Sequence, residues 1–508
     1  MEKKKYSGVL LSITSLPGKY GIGQLGKSAY NFIDFLAEAN FRYWEILPLC
    51  PTNITNSPYQ GTSSSGCNIY MIDFDLLVEE GLLNSRDFQG VNFGNNTRRI
   101  DYKKVFENSR LLLYKAYKRF DKDNEGFKRF INQKSFHDFA IYMSLKEIND
   151  YKAWYDWNLE DRYFEKEVEE DLMKNHSDIY YFYLFTQYIF VKQWMKLKAY
   201  AASKGILIVG QIAHFIGYDS DDVYLHPEEF LLDKLGRMTL VAGFPPDNFT
   251  KDGQKWGEPL YDWSYMKSTH YKWWRNRLNR AFFFYDSVMI NHFSGFYKVY
   301  GIPFRAKNAK KGEFLYTSGF EIIDEFKDQK VVASDLGNTD EDVTTYIEKT
   351  GFTTLFAAGD GLFRSKLNYE QSLPSNIPEN AILYIGNHDN ATLKNEIERL
   401  SSTNRETLIG RIVSELDKLG LDKNFNIDSN RELFNKIVQL VGHSKARCVT
   451  YTMQDILYQD EDSRMNYPGS IDTKLNWTYR FLQSDINKNV IGKWKNINIE
   501  SHRDWIKK

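Results

Sequence analysis

Short apolar runs recur along the chain, each closed by polar or glycine-containing residues. They are GVLLSI (8–13), YWEILPL (43–49), ILIVGQI (206–212), SVMINHF (287–293), VVASDL (331–336), FTTLF (352–356), ILYIGNH (382–388) and RCVTYTM (447–453). Their length and β-branched content read as strands buried on both faces. Segments of helical period separate several of them: NFIDFLAEA follows the first, YKWWRNRLNRAFFFYD precedes the fourth and ETLIGRIVSELDKLG follows the seventh. Alternating strands and helices predict a parallel sheet, and eight such strands predict an α/β fold of the (β/α)8 TIM-barrel type spanning 1–508.

Two stretches break the rhythm. From about 77 to 200 the chain is charged and helix-forming, which predicts a helical insertion rejoining the barrel at Gly205. From about 219 to 263 it reads as a loop-rich insertion at the active-site face, with GFPPDNF and WGEPLYDW. A barrel of this kind places its chemistry on the loops after the strands. The third strand ends in Gly210-Gln211, the fourth in Asn291-His292, the fifth in Ser334-Asp335 and the seventh in Asn387-His388-Asp389. Among the positions expected to point inward, only Asp389 is an evident carboxylate.

Charge changes this picture little. Lys and Arg total 66 against 67 Asp and Glu, with no long single-sign block, so nothing points to nucleic acid. Cys50, Cys67 and Cys448 are odd in number and far apart, which argues against a disulfide scaffold or a metal site and for a reducing, cytoplasmic setting. Asp219 and Asp221-Asp222 lack EF-hand spacing and read as a helix cap and a solvated edge. The opening MEKKKYSGVLLSI has too short an apolar run for a signal peptide, and no stretch reaches bilayer-spanning length. No cofactor and no membrane partner are expected. The 34 Tyr, 35 Phe and 11 Trp read either as sugar-stacking platforms or simply as core filling.

Several motifs then resemble a known family. SGVLLSITSLPGKYGIGQLG, RYWEILPLCPTNITNSPYQGTSS, YDSDDVYLHPEEFLLDKLGR, VAGFPPDNFTKDGQKWGEPLYDW, IGNHDNAT and SRMNYPGS are similar, in order from residue 7 to about 483, to the amylomaltases, the 4-α-glucanotransferases of glycoside hydrolase family 77. The resemblance implies one barrel with inserted subdomains, no C-terminal β-sandwich, and binding of α-1,4 glucans or maltooligosaccharides in starch or glycogen chemistry. Family members cleave with retention, which needs two carboxyl groups about 5 Å apart, one the nucleophile and one the acid/base.

By the same resemblance, Asn291 stands where the nucleophilic aspartate belongs and Met289 where its supporting arginine belongs. Ser334 stands in the acid/base position, while Asp389 keeps the third carboxylate. Gln211, Glu258 and Gln24 replace a further aspartate, an asparagine and an aspartate. Ser57, Tyr59, His292 and His388 become expected sugar contacts; read without the family they are turn, packing or loop residues. Trp256 and Phe249, large aromatics on a polar loop, read equally as binding or local packing.

An amide neither attacks an anomeric carbon nor offsets oxocarbenium charge, and a serine hydroxyl will not protonate a leaving group near neutral pH. Three expectations follow. The chain is a degenerate, glucan-binding pseudoenzyme; or it is a 4-α-glucanotransferase using a substitute carboxylate, with Glu258 first; or it is a protein-interaction module whose sugar site is vestigial, with an unknown partner.

Overall fold

The computed structural model describes residues 4–505 apart from 54, 135, 247–249, 336–339, 365–368 and 471. Twelve strands are present among the described residues: β1 Tyr6–Leu10, β2 Tyr43–Ile46, β3 Leu207–Ile212, β4 Leu240–Phe244, β5 Gln254–Pro259, β6 Ser287–Asn291, β7 Lys298–Pro303, β8 Glu313–Tyr316, β9 Val331–Ser334, β10 Thr354–Ala357, β11 Ala381–Tyr384 and β12 Cys448–Thr452. Eight of them pair in parallel in the order β10-β11-β12-β1-β2-β3-β6-β9. A parallel bridge between Val332 and Thr353 joins the two ends, so the sheet closes into the expected (β/α)8 barrel. All eight apolar runs are strands, but each is shorter than the run that marks it. His388 and Asp389 therefore lie on the loop after β11, not on the strand.

Register sorts the side chains. Gly8 pairs with Tyr43, Leu10 with Glu45, Gln211 with Met289, Asn291 with Ser334 and Tyr384 with Thr450. Register partners in adjacent strands share a face, and residues two apart do so too. Tyr43, Glu45, Gln211, Met289, Asn291, Ser334, Tyr384 and Thr450 thus belong to one face, the barrel interior. Gly8 is needed there: a Cβ on it would stand 2.2 Å from the Tyr43 ring. Tyr43 crosses the barrel above that glycine and its hydroxyl reaches Val449 O and Thr450 Oγ1, each at 2.8 Å.

The helix Lys27–Glu38 buries Ala29, Phe32, Ile33 and Leu36 against the barrel, and Lys272–Phe284 buries Trp274, Leu278 and Ala281 at helical spacing. The helix Ser177–Ser203 is buried on most sides. Two of its glutamines work as backbone clamps. Gln187 bonds both N–H and C=O of Cys67, at 2.7 and 3.1 Å, and Gln193 does the same to Asp73, at 2.8 and 3.1 Å. Each amide satisfies a buried peptide unit that has no ladder partner, which fixes the loop after β2.

The stretch 219–263 contains two strands where the pattern reads as loop. β5, β4, β7 and β8 form a second, antiparallel sheet, with a bulge between Val241 and Gly243. Trp256 and Glu258 accordingly sit on β5, not on a loop. Asp221 and Asp222 are not a solvated edge: both are buried. The helix cap beside them is Ser220. Asp221 accepts from Ser63 Oγ at 2.6 Å, and Asp222 accepts from Ser64 N at 2.7 Å and Ser64 Oγ at 2.6 Å. Asp219 instead receives Lys146 Nζ at 2.7 Å and the Tyr142 hydroxyl at 2.5 Å. Among the described residues no helix is long and apolar enough to cross a membrane.

Candidate functional site

The polar strand ends meet at the C-terminal mouth of the barrel. Asn291 ends β6 and Ser334 ends β9, as direct register partners. Asn291 Nδ2 donates to Gln211 Oε1 at 3.1 Å, and the Tyr59 hydroxyl donates to the same oxygen at 2.5 Å. Ser334 makes no side-chain hydrogen bond among the described residues. Its neighbour Asp335 is turned to another task, accepting the Ser294 N–H at 2.9 Å. Burial pushes the Asp335 carboxyl up to about 6, against the pull of that contact. Met289 lies beneath Asn291 on the same face and is 2 % exposed.

The inward carboxylate that the strand pattern failed to single out is Glu45. It is fully buried within YWEILPL. Gln211 Nε2 donates to its Oε1 at 2.6 Å, while the Tyr384 hydroxyl and Thr450 Oγ1 donate to Oε2, the latter at 3.4 Å. Burial pushes its pKa up to about 7 although these donors pull it down. The signal was present: a charged residue in an apolar strand, at a position of inward period.

Asp389 is held by the loop that carries SRMNYPGS. Asn466 Nδ2 donates to Asp389 Oδ1 at 2.7 Å, Arg464 Nη2 donates to the Asp389 carbonyl at 2.5 Å, and Arg464 Nε reaches Asn466 O at 2.7 Å. His388 Nε2 lies 3.6 Å from Asp389 Oδ2. Its ring stacks on Tyr59 with centroids 5.1 Å apart and an interplanar angle of 19°. A cavity of about 210 Å³ opens beside Asp389, walled by Asp360, Arg364, Asn387, Asn390 and Glu396.

The opposite rim is aromatic. His292, in the left-handed region at φ 53°, lies against Trp256 with centroids 4.9 Å apart, and Phe215 lies 6.1 Å away. Enclosure by protein lowers the His292 pKa, an effect Asp389 opposes. Glu258 is buried and accepts from Gln60 Nε2 at 2.7 Å, leaving Oε2 without a partner. Desolvation raises its pKa. Ser57 Oγ accepts the Tyr59 N–H at 3.3 Å, so it shapes the turn that presents Tyr59. Gln24 Nε2 reaches Tyr70 O at 3.4 Å, a structural contact. Phe249 lies outside the described residues. The structure therefore brings together Tyr59, Gln211, Asn291, His388 and Asp389 on one side, and Trp256 with His292 on the other. No group of three or more His, Cys, Asp or Glu among the described residues could hold a metal ion.

A closed parallel barrel whose mouth gathers polar and aromatic side chains is the architecture of the barrel enzymes. The family profile described as 4-alpha-glucanotransferase, glycoside hydrolase family 77, matches residues 11–484. The chain is 36% identical over 504 residues to a 4-alpha-glucanotransferase of Streptococcus pneumoniae, covering 96% of this chain and 95% of that one. It is 34% identical to one from Clostridium butyricum, covering 92% and 95%. An amylomaltase from Streptococcus agalactiae, solved in complex with acarbose, superposes with a TM-score of 0.90 at 32% identity over 99% of this chain and 100% of that one. This chain belongs to glycoside hydrolase family 77.

Proposed function

We propose that this protein binds α-1,4 glucans or maltooligosaccharides at the barrel mouth and has lost transglycosylation. The observation that carries this reading is the register pair Asn291 and Ser334. The two positions sit side by side at the ends of adjacent strands, and neither carries a carboxyl group of the kind a retaining pair requires. Removing one such group costs on the order of 10⁴–10⁶ in rate, and the effects of two are not additive. The burial of Met289 supports the same history. An arginine there, with no aspartate above it, would be a buried unpaired charge, and methionine removes that cost. Binding is supported by what remains: Asp389 with its Asn466 and Arg464 supports, the Tyr59–His388 stack and the Trp256–His292 rim.

Two measurements test it. Calorimetry with maltoheptaose is expected to give saturable binding. Incubation with maltotriose is expected to yield neither glucose nor longer oligosaccharides; turnover at a rate ordinary for a glucanotransferase would overturn the reading. The unpartnered, buried Oε2 of Glu258 favours one rival, in which this carboxyl substitutes for the missing acid. That rival requires turnover in the purified protein that disappears in Glu258→Gln.

A further inference from the structure

Four side chains form a single hydrogen-bonded line from the barrel interior to its mouth: Glu45, Gln211, Asn291 and, beside them, Tyr59. Each link restricts the next. An ionised carboxylate only accepts, so Glu45 draws the NH2 of Gln211. The Gln211 carbonyl must then face Asn291 and Tyr59, and both must donate to it. That uses the NH2 of Asn291 and leaves its carbonyl Oδ1 as the free end for a ligand. We propose that Glu45 is a positioning residue that sets the polarity of the Gln211–Asn291 amide relay, so that the barrel mouth presents Asn291 Oδ1 to sugar hydroxyls. This deepens the glucan-binding reading and rests on it.

The relay has two self-consistent states. With Glu45 ionised, the order of donors runs from Asn291 to Gln211 to Glu45. With Glu45 protonated, its O–H donates to Gln211 Oε1, the amide turns over, its NH2 donates to Asn291 Oδ1, and Asn291 shows NH2 to the ligand. One proton taken from solvent accounts for the change; the Tyr59 hydroxyl, which donates to Gln211 Oε1 in the first state, accepts from the Gln211 NH2 in the second and turns its own O–H toward the mouth. Gln211 suits this arrangement for a second reason. The aspartate that the family resemblance implies at 211 would point a second carboxylate toward Glu45, and each would disfavour ionisation of the other. The single carboxylate is therefore held two residues deeper in register, on the neighbouring strand.

The groups facing Glu45 are Tyr43 on its own strand, Tyr59 on the loop after β2, whose phenol burial likewise holds high, Gln211 on β3, Tyr384 on β11 and Thr450 on β12. Burial holds the Tyr43 and Tyr384 phenols well above their ordinary range, so neither titrates near neutrality. The burial that pushes Glu45 up to about 7 makes both relay states accessible. His292, His388 and Asp389 face the ligand side, so the readout is the difference between variants and not the raw pH profile.

The test uses the free, full-length protein with 15N-labelled side-chain amides. The Asn291 and Gln211 NH2 signals are assigned by their loss in Asn291→Asp and Gln211→Glu. Between pH 5.5 and 8.5 both signals are expected to shift together in the wild type, by clearly more than in the isosteric Glu45→Gln. In Gln211→Met, where Glu45 remains and the relay is cut, the Asn291 signal is expected to shift no more than in Glu45→Gln. Signals that titrate as far in Glu45→Gln as in the wild type, or that are flat in the wild type, would overturn the proposal. Maltoheptaose affinity is expected to change about 5–10-fold across the same window in the wild type only, the worth of one hydrogen bond. Absence of any maltoheptaose binding would remove the glucan reading, while the amide titration would still decide the relay.

Discussion

Asn291 cannot be understood alone, because Met289, Gln211 and Ser334 share its face of the barrel. Restoring one of them is expected to do little. A single missing member of a catalytic pair costs nearly as much as losing several, so Asn291→Asp without its partners should leave maltotriose untouched. The triple variant Asn291→Asp, Ser334→Glu, Met289→Arg is expected to release glucose and longer oligosaccharides at a rate at least on the order of 10²-fold above the parent. A chromatographic time course checks both. An inert triple variant would mean that the mouth has departed from a productive geometry in more than these side chains. The structure puts these four positions on one face, and they were the ones singled out by motif. Glu45 was not, because an alternation of apolar and polar residues marks which faces are buried but not which buried charge matters.

At the scale of elements, the mouth depends on loops held by polar side chains. The loop with Arg464 and Asn466 clamps Asp389 through its carboxylate and its carbonyl. Asn466→Ala removes a charge-assisted bond at a part-exposed position, worth about 1.5–3 kcal/mol when fully made. Maltoheptaose affinity is expected to fall about 5–20-fold while the melting temperature stays nearly unchanged. An unaltered affinity would show that Asp389 needs no such support. The eight barrel strands were readable because each is a buried β-branched run. The second sheet was not. β5 (QKWGEP) and β8 (EFLY) are largely exposed edge strands, one contains a glycine and a proline, and the β4–β7 pairing that joins the two hairpins spans more than fifty residues. The roles of Asp221 and Asp222 escaped for a related reason: their partners, Ser63 and Ser64, are 158 residues away.

For the whole molecule, closure of the chain and burial of charge set the stability. Arg503 is fully buried near the C-terminal end, and its guanidinium donates to the carbonyls of Tyr6, Gly442, Ser444 and Ala446. It thereby ties the end of the chain to the start of β1 and the approach to β12. Lysine cannot supply that fork of donors, so Arg503→Lys is expected to cost about 2–4 kcal/mol. At roughly 2 cal/mol/K per residue of unfolding entropy this lowers the melting temperature by about 2–4 °C. Glu45 adds a pH dependence whose sign is set by its raised pKa. The folded state holds the Glu45 proton more tightly than the unfolded chain does. The resulting stabilisation is complete below the unfolded value of about 4.5 and is lost as pH rises through about 7. A shift of this size is worth about 3 kcal/mol, or about 3 °C for a chain of this length. Glu45→Gln carries no such proton. The difference in melting temperature, wild type minus Glu45→Gln, is therefore expected to fall by about that amount between pH 5 and pH 8 in differential scanning calorimetry. A difference that stays constant across the range would mean that Glu45 keeps an ordinary carboxylate pKa in the folded protein.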